Sequence, residues 1–283
     1  MRKLVFIAVV SFICCMSFDL SAQDVVAPRD GFYDHKTYTE KEPVAYPYVR
    51  ESDLMWSKRI WRTIDLREKS NQIFYYPAQP QEHWKNFVTV IFDALKEDKI
   101  TVYDSRYDDF RLPLTREEAL SVFMTVETET MTKDGREIEI TDTSYFDLQK
   151  VIKLRLKEDW FFDERRSVLE CRIIGICPVF EETEMVDANT NEMETSDRPM
   201  FWVYFPEARK VLVNAEVFNP QNDARRLTYD DVFWKRLFVS TIYKESNVYD
   251  RWISDYSTGL DALLESDRIH NSIRQYESDM WQY

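Results

Sequence analysis

The sequence predicts an α+β fold: a central, mostly antiparallel sheet flanked by amphipathic helices, with an extended N-terminal arm and a C-terminal helix. Three observations predict it. Val151–Phe162 sets Ile152, Leu154 and Leu156 against Lys153, Arg155 and Lys157, the period-two pattern of a half-buried strand. Asp134-Gly135 lies between Val126–Thr132 and Arg136–Thr141, and this dipeptide suits a tight hairpin because both central residues take positive φ. Gln81–Glu97 and the stretch from Asp261 onward instead repeat their apolar residues at helical spacing.

The first element is a secretion signal over 1–22. Arg2 and Lys3 are its charged start, Leu4–Met16 its apolar run, and Leu20-Ser21-Ala22 its cleavage site before Gln23. The run is shorter than the roughly 20 apolar residues that span a bilayer. Cys14 and Cys15 follow no triplet of the Leu-Ala-Gly type, so a soluble periplasmic chain is expected. Residues 23–44, with Pro28, Gly31 and Pro43 and no apolar period, form an extended arm. The arm is either a free terminus or, through Phe32 and Tyr33, a strap laid across a partner. Residues 45–283 follow as a single domain, with 126–142 as the place where two lobes would part.

Ala45–Pro77 is the most unusual stretch. Two aromatic-proline corners enclose Trp56 and Trp61 interleaved with Lys58, Arg59, Arg62 and Arg67. Ser52 is placed to cap a helix reaching about Asn71. Leu54, Trp56, Ile60, Trp61 and Ile64 would fill a broad arc of it, with Lys58, Arg62 and Lys69 opposite. Three roles fit such a helix: core packing with a solvated basic face, contact with a protein partner, or contact with anionic lipid. In Gln81–Glu97, Trp84, Phe87, Val88, Ile91, Phe92 and Leu95 fall within about 140° and face a core. Ile100–Asp104 is a short strand. Thr115-Arg116-Glu117-Glu118 is a capping box opening a helix to about Met124. Ser167–Phe180 and Met200–Phe205 are further strands of the sheet. Between them Glu181–Asp197 reads as a loop with seven acidic residues and no basic one. It is either solvated or set against a basic partner. Thr228-Tyr229-Asp230-Asp231 opens another helix, echoing the Leu-Thr start at Leu114-Thr115. In the C-terminal helix Ala262, Ile269, Ile273, Tyr276 and Met280 form a seam within about 60°, facing either its own domain or a partner.

Composition excludes several functions. A net charge of −14 argues against nucleic acid, which rewards a basic footprint. Four glycines in the whole chain leave no glycine-rich phosphate loop. The 15% aromatic and 31% charged residues indicate a folded chain with a substantial core. His35, His83 and His270 have no metal-ligand spacing. Asp187-Ala188-Asn189-Thr190-Asn191 starts like a calcium loop, but Glu192 stands where the turn needs glycine and Arg198 where the bidentate glutamate belongs. Cys171 and Cys177 lie on one predicted strand, about 20 Å apart if it is straight. They are read as two buried small hydrophobes, as a disulfide across a bend at Gly175, or as an inter-chain bond. No catalytic residue, metal or cofactor is expected. Contacts are expected at Phe32 and Tyr33, at Lys58, Arg59, Arg62 and Lys69, and at Ile269, Ile273, Tyr276 and Met280.

Asp30-Gly31-Phe32-Tyr33-Asp34, Tyr46-Pro47-Tyr48-Val49-Arg50-Glu51, Trp56-Ser57-Lys58-Arg59-Ile60-Trp61-Arg62 and Ile64-Asp65-Leu66-Arg67-Glu68-Lys69 resemble the gliding-motility family GldN, also called PorN, of the type IX secretion system. The resemblance implies a non-enzymatic periplasmic component. It would form rings of neighbouring copies with a GldK/PorK-type outer-membrane lipoprotein and contact a GldM/PorM-type periplasmic shaft. A ring needs two different surfaces on each copy, and the basic block and the acidic loop are chemically complementary. The alternative is an exported hydrolase or carbohydrate-binding protein with an unrecognised site.

Overall fold

The computed structural model describes residues 40–81, 84–133, 136–145, 150–187, 192–220, 222 and 224–280, with the backbone alone for 124–145 and 183–195. Phe32, Tyr33 and the rest of 1–39 lie outside the described residues. Tyr38–Tyr283 forms one unit.

In chain order the strands are β1 (Leu54–Asp65), β2 (Val102–Asp104), β3 (Met124–Lys133), β4 (Arg136–Tyr145), β5 (Val151–Asp163), β6 (Val168–Asp187), β7 (Glu192–Pro199), β8 (Phe201–Tyr204), β9 (Glu216–Val217), β10 (Leu227–Thr228) and β11 (Thr241–Glu245). The helices are α1 (Gln72–Tyr75), α2 (Phe87–Lys96), α3 (Arg116–Ser121), α4 (Phe205–Leu212), α5 (Tyr229–Trp234) and α6 (Leu260–Met280). One sheet runs β11-β1-β5-β6-β8-β2, with β7 paired to β6. The pairings are antiparallel, as the alternation in Val151–Phe162 predicts.

The helix expected over 52–71 is instead β1, set between a 3-10 turn at Glu51–Asp53 and helical backbone from Lys69 on. The spacing that suggested a helix, Trp56, Ile60 and Ile64, is also a row of even positions, and a strand places those on one face. That face meets the helices, while Trp61 on the other joins Cys177, Val179 and Trp202. Both faces of β1 are therefore buried, and Trp, Ile and Thr suit a strand there. The loop expected over Glu181–Asp197 is also strand: β6 continues to Asp187, and β7 returns along it in a long ribbon.

Other elements follow the local signals. Thr115 Oγ1 accepts from Glu118 N while Glu118 Oε2 accepts from Thr115 N, and Thr228 and Asp231 repeat the exchange. β3 and β4 pair along their length as Asp134-Gly135 predicts, with the two turn residues outside the described set. Helix α2 starts later than expected, capped by Asn86 Oδ1 on Thr89 N. Trp84 therefore precedes it and meets Phe218 edge-on.

The largest core lies between the sheet and helices α2, α4 and α5, where Phe74, Phe87, Tyr229 and Phe233 pack ring against ring, mostly edge-on, above Ile64, Leu154, Leu156 and Ile176. A second, isoleucine-rich core seats α6 on β1 and β11 through Ile60, Ile242, Ile253, Ile269 and Ile273. The C-terminal seam thus packs inward, which removes Ile269 and Ile273 from the surface; each is 1% exposed.

A bulge at Ile174 sets the faces of β6. Lys157 pairs Gly175 and Glu158 pairs Ile173, so one residue on β6 has no opposite number. Cys171 therefore faces the α5 side and Cys177 the Trp61 side. Both thiols are free, and the disulfide across Gly175 is not formed. A Cβ on Gly175 would sit 2.5 Å from the Phe110 ring and 3.2 Å from Trp202.

Two measurements check this packing. Ile273→Ala should lower unfolding free energy by about 2–5 kcal/mol in urea titration. Gly175→Ala should cost about 1–3 kcal/mol through overpacking.

Candidate interaction site

The basic residues of β1 are arranged by cross-strand pairing. Lys58 Nζ lies 2.6 Å from Glu245 on β11. Arg59 forms a two-toothed bond with Asp159 on β5, at 2.6 and 2.8 Å. Arg62 Nε lies 3.2 Å from Glu158 Oε2 and its Nη1 donates to Ser240 Oγ. Strand geometry explains the set: Arg59 stands opposite Asp159, and Ile60 opposite Glu158, so acid and base are neighbours or diagonal neighbours. The expectation of a solvated basic face is thereby corrected. Arg62 is 6% exposed and serves the interior, whereas Arg59 and Lys69 remain at the surface.

Glu158 is fully buried and holds more than Arg62. Arg236 donates to both its oxygens, at 2.8 and 3.3 Å, and Trp160 Nε1 donates at 3.1 Å. Two guanidinium groups thus share one carboxylate. Burial lowers the pKa of Arg62, and Glu158 opposes that shift. The same Arg236 donates to Cys171 Sγ. It sits at φ 51°, in the left-handed position that ends α5, where Leu237 N returns to Val232 O. Glycine is the usual residue there, and arginine occupies it because its side chain reaches Glu158. On α6, His270 is lowered by burial first, then by Arg62, Arg274 and Arg236.

Beside this cluster lies a cavity of about 290 Å³. One wall is β6 from Leu169 to Ile173, the other α5 with Phe233 and Trp234. β8 pairs β6 only at Gly175 and Ile176, and β7 only from Val179. Among the described residues, the outer edge of Val168–Ile173 therefore carries no strand. Residues Tyr46 and Pro47 close the mouth. Tyr46 stacks on Trp234 at 5.2 Å, and the Arg209 guanidinium lies 4.4 Å from the Tyr46 ring and 5.2 Å from that of Trp234. Arg209 is in turn fixed by Asp230, at 2.7 and 3.1 Å. Arg172 donates to the Pro47 carbonyl.

Helix α6 has a second face. Opposite the isoleucine seam, Leu260, Leu263 and Leu264 are 71%, 52% and 57% exposed. Tyr276, expected at a contact, stacks on Trp56 at 4.8 Å within the chain, and Met280 is half-buried. The acidic ribbon β6–β7 is tied at its base to its own chain, Asp197 to Lys153 at 2.6 Å and Glu181 to Arg67 at 3.7 Å. Sequence reasoning missed Glu158, Arg236, the Tyr46 mouth and the outward leucines. Only the leucines carried a local signal, their i, i+3, i+4 spacing off the isoleucine seam. Among the described residues no three His, Cys, Asp or Glu side chains come together as a metal site, and no helix is long and apolar enough to cross a membrane.

Glu158→Gln leaves the buried Arg62 and the half-buried Arg236 without their counter-charge and should cost about 3–5 kcal/mol in a denaturant melt. Burial raises the Cys171 thiol well above its ordinary value and Cys177 to about 12. In the chain from Gln23 onward, a thiol reagent at pH 8 should find neither group until denaturant is added, and then both.

Residues 49–282 match the sequence model of the family described as gliding motility associated protein GldN. The match spans most of the chain, and the chain belongs to that family. No curated protein matches it.

Proposed function

We propose that this member of the GldN family is a structural subunit of a protein secretion and gliding machine, not an enzyme. It assembles into periplasmic rings with a GldK/PorK-type outer-membrane lipoprotein and meets a GldM/PorM-type shaft. The observation that carries the reading is the outward leucine row of α6. Leu260, Leu263 and Leu264 stand exposed on a helix whose other face is already buried, and Val248 and Tyr249 in the preceding loop are 98% and 76% exposed. Exposed apolar residues grouped this way mark protein contacts. The family supports the kind of machine, and a ring supports the need for more than one contact surface. Asp261 and Asp267 flank the leucines, so a partner with basic residues around an apolar ridge fits best.

Leu260→Glu with Leu264→Glu tests this. Both residues are exposed, so the circular dichroism spectrum and melting temperature should stay unchanged. Co-elution with the lipoprotein in a very large particle after gentle detergent extraction should fall about tenfold or more, or ~1.4 kcal/mol. An unchanged particle refutes the role of this surface.

A further inference from the structure

Residues 40–50 form a strap. Its inner side makes a few definite contacts and its outer side almost none: Val44 is 69% and Tyr48 79% exposed. Lys41 N donates to Asn214 Oδ1 at 2.8 Å, and Asn214 Nδ2 donates to the Lys41 carbonyl at 3.1 Å, so one side chain grips the strap backbone as a neighbouring strand would. Five residues on, Tyr46 closes the stack over Arg209 and Trp234, and Arg172 holds the Pro47 carbonyl.

Every one of these groups lies more than a hundred residues away in sequence, on β6, α4, α5 and the loop after α4. On its C-terminal side the strap runs through a 3-10 turn at Glu51–Asp53 into β1 at Leu54. Contacts of that kind form equally well when the strap belongs to another copy. Exchange of an identical element is a low-cost route to association, because the bonds broken in one copy are remade in the next. Eight residues from Tyr46 to Leu54 reach about 26 Å if the Glu51–Asp53 turn opens.

We propose that the groove between the open edge of β6 and α5 takes the strap of a second copy of this chain. Tyr46 is the anchor side chain, and Asn214 and Arg172 are the backbone clamps. The donor end at β1 and the acceptor groove are different surfaces, so the contact is head-to-tail and repeats from copy to copy until a ring closes. This deepens the ring reading and rests on it for bringing the copies together.

The test uses the full chain in the cell that makes the machine. Two differently tagged copies are co-expressed, one with Lys41→Cys and the other with Asn214→Cys. Both copies also carry Cys171→Ser and Cys177→Ser, because the free Cys171 lines the same groove as Tyr46 and Trp234. A disulfide joining both tags then requires the strap of one copy to lie on the other. A covalent heterodimer is the expected result, and adding Tyr46→Ala to the Lys41→Cys copy should reduce it several-fold. Absence of the heterodimer overturns the proposal. If the large lipoprotein particle still forms in that case, only strap exchange fails; if it is absent as well, the ring reading falls with it.

Discussion

Glu158 is the fixed point of this fold. Its carboxylate is out of reach of water, and such a charge persists only when matched and hydrogen-bonded. Arg62 supplies a counter-charge from β1, Trp160 a hydrogen bond from β5, and Arg236 both from the turn that ends α5. These groups tie the middle of the sheet to the helical layer above it. Arg236 accepts a left-handed backbone to do so, a strain of about 1–3 kcal/mol that only a strong partner holds in place. The bulge between Lys157 and Glu158 sits in the same place. It turns the first half of β6 so that Cys171 joins the cluster while Cys177 remains in the tryptophan core.

The sequence made some of this plain. Capping boxes at Thr115 and Thr228 are local, with acceptor and donor three residues apart, and both were legible. So were the alternation of β5, the β3–β4 hairpin and the isoleucine seam of α6. The β1 strand was not, because Trp56, Ile60 and Ile64 satisfy both a helical and a strand period over twelve residues. Only the partner decides between them, and Asp159 and Glu158 lie about a hundred positions away. The same holds for the cations. Arg62 reads as a surface charge until β5 is placed beside it. The acidic stretch after Phe180 reads as a loop by its charge, yet Glu181–Asp187 and Glu192–Asp197 pair as a ribbon.

The candidate surfaces divide accordingly. Those built from one element, such as the outward leucines of α6, leave a trace in the sequence. The groove at the edge of β6 does not, because it is assembled from the strap, β6, α4 and α5, each contributing one or two side chains. Tyr46-Pro47 drew attention as an aromatic-proline corner, and its role emerges only with Arg209, Trp234 and Arg172 around it.

The way charge is buried here has an electrostatic consequence beyond the cluster. Arg62 and Arg236 both answer Glu158, yet among the described residues the buried charges are three positive (Arg62, Lys157, Arg209) and four negative (Glu158, Asp163, Glu216, Asp230). That interior offsets almost none of the −14 the chain carries as a whole. Copies set side by side in the proposed ring would therefore repel at distances beyond contact, more strongly in dilute salt than at physiological ionic strength, where fields fade within about 8 Å. Closing such a ring calls for short-range apolar contacts or a basic companion to offset the field.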